Sequence, residues 1–300
     1  MDESIQLVHG AAAERFFSQL GWTNCQSLVC PADVDAFKHA GGFNSDWELA
    51  FAWMLLYLFK SRRYDSTDGE ALRAKNPTVE RFIAEVAVRG GWLDSAVSVI
   101  REMCRDDEWP AIQAQWDRPG LQRMFQETYS GDLCEEVYGF EPRIVNGQGL
   151  IYKDKPILDK GFVSQSIKLG IATGRTAGET EVALRLMGWT DLFPKHAVIT
   201  EDDGFKKPDP AILALAVERL GSRSPMYVGD TPDDLLTVRK YRETHGPMLS
   251  CMVLTGLKGS DKKDRFAEGQ TDIIADNVNA ALMAVTRCMG GALCPAEKQR

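Results

Sequence analysis

From about residue 155 onward, short apolar runs alternate with helical segments, and this alternation constrains the fold more than any other feature of the 300 residues. Lys168-Leu169-Gly170-Ile171-Ala172, Ala197-Val198-Ile199, Met226-Tyr227-Val228, Ser250-Cys251-Met252-Val253-Leu254 and Asp272-Ile273-Ile274-Ala275 read as strands. Helical patterns over residues 179–187, 210–220, 232–241 and 278–286 separate or follow them. Strand and helix in turn predict an α/β fold, a parallel sheet with helices on both faces. Ligands in such folds bind beyond the carboxyl ends of the strands, so the polar residues just after each strand are the ones to inspect.

The first 150 or so residues read almost entirely as helix. Periodicity predicts helices over residues 11–20 (or 5–20), 46–59, 77–88, 94–104 and 119–129, with Asn44 or Ser45 capping the second and Asn76-Pro77 opening the third. Polar breaks at 61–69 and 105–108 separate them. No run reaches the roughly 20 apolar residues of a membrane span. The acidic start Met1-Asp2-Glu3 lacks the basic segment of a secretory signal, so a cytoplasmic protein is expected. The 35 Lys+Arg against 43 Asp+Glu give a net charge of −8, which argues against nucleic acid or anionic membrane as partner. Seven scattered cysteines without a Cys-x-x-Cys pair are expected to be reduced. The four histidines lack metal-ligand spacing and read as hydrogen-bonded structural residues. Nothing indicates the oligomeric state.

Three strand ends carry unusual polar groups. After the first come Thr173-Gly174-Arg175, where a hydroxyl and free backbone N–H groups can hold an anion or simply cap a helix. After the second comes Lys207, just before Pro208-Asp209-Pro210, which can aim its ammonium at a phosphate or stand solvated in a turn. After the third, Gly229-Asp230-Thr231-Pro232-Asp233-Asp234 crowds carboxylates into one turn. Helix capping accounts for one of them; Mg²⁺ with its hard oxygen ligands accounts for more.

Hydroxyl, lysine and acidic cluster in this order resemble motifs two, three and four of the haloacid dehalogenase-like (HAD) superfamily. Lys38-His39-Ala40-Gly41-Gly42-Phe43-Asn44-Ser45-Asp46-Trp47-Glu48-Leu49, Leu254-Thr255-Gly256 and Asp272-Ile273-Ile274-Ala275-Asp276-Asn277-Val278 are similar to segments of one subgroup. The resemblance implies a Rossmannoid core from residues 1–24 and 155–287, an inserted all-helical cap over 25–154 and a tail over 288–300. It implies that Thr173, Gly174 and Lys207 bind phosphate and that Asp230 and Asp234 hold Mg²⁺, with Asp233 and Arg175 as weaker candidates. Arg175 can equally reach a substrate or pair on the surface. The cap residues Asn44, Asp46, Trp47, Arg62 and Arg63 either face a substrate mouth or are cap structure, Trp47 reading as core. The implied function is Mg²⁺-dependent hydrolysis of a small phosphorylated metabolite.

HAD phosphatases open with a strand ending Asp-x-Asp-Gly, whose first Asp is the nucleophile and second the acid/base. No such motif occurs in the 300 residues; Met1-Asp2-Glu3-Ser4 resembles the residues just beyond that motif. The expectation is a truncated start, a chain without turnover, and a sheet in which two strands keep an unpaired edge. Residues 5–8 and 27–30 are candidates to fill the place; the first fits a helix better and the second is short. The alternative reading is a non-catalytic binding or regulatory protein that holds a phosphorylated ligand in the surviving half-site.

Overall fold

The computed structural model describes residues 2–43, 45–255 and 262–289; the candidate Asn44, the motif residue Gly256 and most of the expected tail, 290–300, lie outside them. The chain divides into two compact units. One, the helical unit, comprises Met1–Asp154, Gly174–Thr190 and Thr200–Gly204; the other, the α/β unit, comprises Lys155–Thr173, Asp191–Ile199 and Phe205–Arg300.

In the helical unit the helices are α1 (Asp2–Gln19), α2 (Pro31–Ala40), α3 (Asp46–Tyr64), α4 (Gly69–Arg73), α5 (Val79–Val88), α6 (Trp92–Met103), α7 (Glu108–Gln115), α8 (Arg118–Ser130), α9 (Cys134–Tyr138) and α10 (Ala177–Leu186). Its centre is α3. Asp46 and Glu48 in its first turn and Arg62 and Arg63 in its last complement the helix dipole, and everything from Leu49 to Lys60 except the half-buried Phe51 is buried. A helix apolar all round must be enclosed, and α1, α4, α6, α7 and α8 all pack on it. Phe82, Ile83 and Val86 of α5 and Ala96, Val99 and Ile100 of α6 present single apolar stripes.

The structure corrects several expected boundaries. Helix α1 starts at Asp2. Helix α5 is capped by Thr78, whose hydroxyl accepts from Arg81 N at 3.2 Å, and not by Asn76. Helices α2 and α7 form where the polar pattern hid them. Glu108, read as part of a break, is the first residue of α7, and its carboxylate is held by Arg63 at 2.7–2.8 Å and by Arg105 N at 2.7 Å. Ser27 to Cys30 is a turn, and 5–8 is helical.

The α/β unit contains β1 (Ile171–Ala172), β2 (Val198–Ile199), α11 (Ala211–Leu220), β3 (Met226–Gly229), α12 (Pro232–Thr244), β4 (Leu249–Val253), α13 (Lys262–Glu268), β5 (Ile273–Ala275) and α14 (Val278–Met289). All pairings are parallel, as the alternation requires, but they form two sheets. β1 pairs with β2, Ile171 opposite Val198, and β3-β4-β5 pair separately, Met226 opposite Leu249 and Cys251 opposite Ile273. Among the described residues no strand joins β1 to β3. Burial follows the pairing. Ser250 to Val253 of β4, flanked on both sides, are buried, whereas β1 and most of β3 are only half-buried.

No helix among the described residues is long and apolar enough to cross a membrane.

Candidate functional site

The turn from β3 into α12 is built by one carboxylate. Thr231 caps α12: its hydroxyl accepts from Asp234 N at 3.2 Å, and Asp234 Oδ2 accepts in return from Thr231 N at 3.0 Å. The same oxygen takes Asp230 N at 3.0 Å and the Thr231 hydroxyl at 2.8 Å. Gly229 makes room for it, since a Cβ there would stand 2.5 Å from the Asp234 Cβ.

The other oxygen, Oδ1, receives the Lys207 ammonium at 2.7 Å and the Tyr227 hydroxyl at 2.9 Å. Lys207 Nζ lies 3.4 Å from Tyr227 Oη, which in turn lies 3.4 Å from the carbonyl oxygen of Ala172 on β1. Burial disfavours the charged forms of lysine and aspartate, yet the pair overcomes it. Attraction to Asp234 holds Lys207 above the ordinary lysine range, and Lys207 with the donors of Thr231 holds Asp234 below the ordinary carboxylate range. Burial, reinforced by the Asp234 charge, raises the Tyr227 phenol, so Tyr227 stays protonated.

The structure thus brings Lys207 and Asp234 together, with Asp230 one turn of backbone away. Thr173 prolongs the β1–β2 ladder, donating from its N–H to Ile199 O at 3.0 Å. Gly174 is exposed, and a Cβ on it would meet nothing within 4 Å. Asp233 is buried, its carbonyl accepting from Thr237 Oγ1 at 2.6 Å within α12.

Gly174 and Arg175 fall in the helical unit. There Arg175 donates to the Tyr129 hydroxyl, stands 3.9 Å from Asp154 and lies over the Tyr129 ring. It therefore makes an internal pair and not the surface pair that was one of its two readings. Asp46 accepts from His9 Nε2 at 3.2 Å and pairs with Lys38 at 3.3 Å. Because Trp53 Nε1 donates to His9 Nδ1 at 3.2 Å, the proton of neutral His9 sits on Nε2. Burial lowers the His9 pKa, and Asp46 is held low by Lys38 and His9 against its own burial. Trp47 packs edge-on against Phe125 and Tyr138, and Arg62 and Arg63 are paired with Asp107 and Glu108. These four cap candidates have structural partners.

Among the described residues, no three His, Cys, Asp or Glu side chains converge as a ready-made cation cage. Both oxygens of Asp234 are committed to Lys207, Tyr227 and the helix cap. Asp230 adds a carboxylate at this turn, and Mg²⁺ takes one or two carboxylates and completes its shell with waters and phosphate oxygens. The carboxylates of this turn are of the chemistry that suits Mg²⁺.

Residues 158–240 match the sequence profile of the haloacid dehalogenase-like hydrolases. This segment is haloacid dehalogenase-like. It carries all three strand-end motifs, from Thr173 to Asp234. Two solved structures share the fold of this chain. The phosphatase Tt82 from Thermococcus thioreducens is 23% identical with a TM-score of 0.58, over 97% of this chain and 94% of that one. An X-ray structure of a Northeast Structural Genomics Consortium target is 18% identical with a TM-score of 0.56, over 86% and 83%. No curated protein matches significantly.

Tyr227 was missed by sequence reasoning. A signal was available: it lies two residues before Gly229 in the same strand, hence on the same face, and that face must look onto the carboxylate the glycine admits.

Proposed function

We propose that this HAD-like chain binds the phosphate of a small phosphorylated metabolite together with Mg²⁺, in the half-site of a phosphohydrolase, and that residues 1–300 do not turn it over. The observation that carries the reading is the buried Lys207–Asp234 pair at the β3–α12 turn, because a lysine ammonium held charged and fixed at a helix N-terminus is suited to offset phosphate charge. Thr173 at the end of β1 supplies a hydroxyl. Asp230 would hold the cation, whose charge, when bound, would lower the repulsion among phosphate oxygens. One structural relative is a phosphatase by name, which supports the substrate class.

The absence of Asp-x-Asp-Gly from the 300 residues favours a second reading, a binding or regulatory protein. Both predict that inorganic phosphate binds in the presence of Mg²⁺, seen by calorimetry, and that Lys207→Met weakens binding by at least tenfold. They differ when the sequence encoded upstream of Met1 is read: an in-frame apolar strand ending Asp-x-Asp-Gly favours the hydrolase, an interrupted frame the binder. Vigorous Mg²⁺-dependent phosphate release by pure 1–300 would refute the expected lack of turnover, and absence of phosphate binding would refute the half-site.

A further inference from the structure

A single phenol touches the lysine and the acidic turn of the α/β unit and the last residue of β1. Tyr227 sits on β3, half a strand from the acidic turn. Its oxygen lies 2.9 Å from Asp234 Oδ1, 3.4 Å from Lys207 Nζ and 3.4 Å from Ala172 O, the residue before Thr173. β3 and β1 belong to different sheets, so this contact crosses the break between them.

A phenol has one proton and two acceptor positions. The shortest contact claims the proton for Asp234, and Lys207 donates to the oxygen. A lysine ammonium has three donors on a flexible four-carbon stem, so one carboxylate alone leaves it free to swing about that oxygen. A second acceptor, set by a rigid ring on a strand, removes that freedom. Gly229 completes the device: on the same face as Tyr227, its missing side chain lets Asp234 come within reach of the phenol.

We infer that Tyr227 is the positioning residue for Lys207, fixing the ammonium between Asp234 and the end of β1 that carries Thr173. Its relevance to ligand binding rests on the phosphate reading above, whereas the positioning itself is a statement about Lys207 alone.

The experiment is a double-mutant cycle with inorganic phosphate and Mg²⁺, read by calorimetry on the full chain as wild type, Tyr227→Phe, Lys207→Met and the double variant. Tyr227→Phe removes one oxygen and keeps the ring, so the protein should still melt cooperatively within a few degrees of wild type. Losing the hydrogen bonds to Lys207 and Asp234 should weaken phosphate by about tenfold or more. In the Lys207→Met background the same change should do nothing further; an equal loss there overturns the inference. Acylation of lysine amines at fixed pH, mapped by mass spectrometry, tests positioning without any ligand. Tyr227→Phe should raise labelling of Lys207 severalfold relative to exposed Lys155. Unchanged labelling overturns the inference whether or not phosphate binds. Raised labelling without phosphate binding in any variant upholds the positioning and rejects the phosphate reading.

Discussion

In the helical unit the buried apolar side chains join one continuous core around α3, from Ile5 and Phe17 through Trp53, Tyr57 and Phe82 to Val182. In the α/β unit they fall into separate clusters. Ile199, Ile212 and Val238 gather with Ala172 and Tyr227; Cys251, Val253 and Ala275 gather with Met226 and Val228; Leu235, Met252 and Phe266 form another group. Neighbouring residues of β3 thus serve different clusters. A helix can enclose its own backbone hydrogen bonds and needs only apolar neighbours, whereas a strand needs a partner on each edge before its faces can be sealed. Local sequence pattern makes strands; only an unbroken sheet makes their core continuous.

The same substitution in each unit should expose this difference most strongly. Leu55→Ala and Leu213→Ala delete the same atoms from buried positions. We expect about 4–5 kcal/mol for Leu55, in a core that cannot collapse, and about 2–3 kcal/mol for Leu213, beside half-buried strands that can relax. Urea denaturation followed by circular dichroism measures both, and equal or reversed costs would break the comparison.

Charge sharpens it next. Lys60 is fully buried within the helical core, donating to Arg73 O at 3.3 Å and lying over the Tyr57 ring, and burial lowers its pKa to about 8. The unfolded chain holds its lysine proton up to about 10.5, so between pH 8 and 10.5 it binds more protons than the folded protein and stability gains from Lys60 as pH rises. Lys60→Met should stabilise the helical unit by about 1–3 kcal/mol at pH 7 and abolish that gain. A destabilised variant at pH 7 would show that the lysine's contacts outweigh its desolvation.

The smallest effect concerns His9. Its pKa is lowered by burial, so as pH falls below about 6.5 the unfolded chain takes up a proton that the folded ring refuses, and stability is lost. Asp46, whose pKa is also lowered, adds an acid loss only below about 3.8. His9→Gln should therefore flatten the loss of stability as pH falls below about 6.5. Chemical denaturation at stepped pH decides it.

Much of this is legible in the sequence. The strands at Ile171, Val198, Met226, Ser250 and Ile273 declare themselves by apolar runs between helices, and the motifs at Thr173, Lys207 and Asp230 by their place after them. The features that escaped detection depend on partners far away in sequence. Helix α7 begins at Glu108 because Arg63 neutralises it, 45 residues distant. For Asp46 and Arg63 the choice between a substrate mouth and cap structure stayed open until their partners His9 and Glu108 were placed. The role of Asp234 as acceptor for two elements, and of Tyr227 beside it, depends on the absence of a Cβ at Gly229, which no periodicity records.

Among the described residues β1 and β3 each keep one edge without a strand partner, and this carries one more consequence. A split sheet has twice the margin of an intact one, and an unpaired margin invites other chains to pair with it. Here the two inner margins are only two and four residues long, and the molecules repel one another through a charge of −8. Brevity and like charge keep such margins apart in dilute, low-salt solution, so self-association should grow with ionic strength and fall away as the protein is diluted.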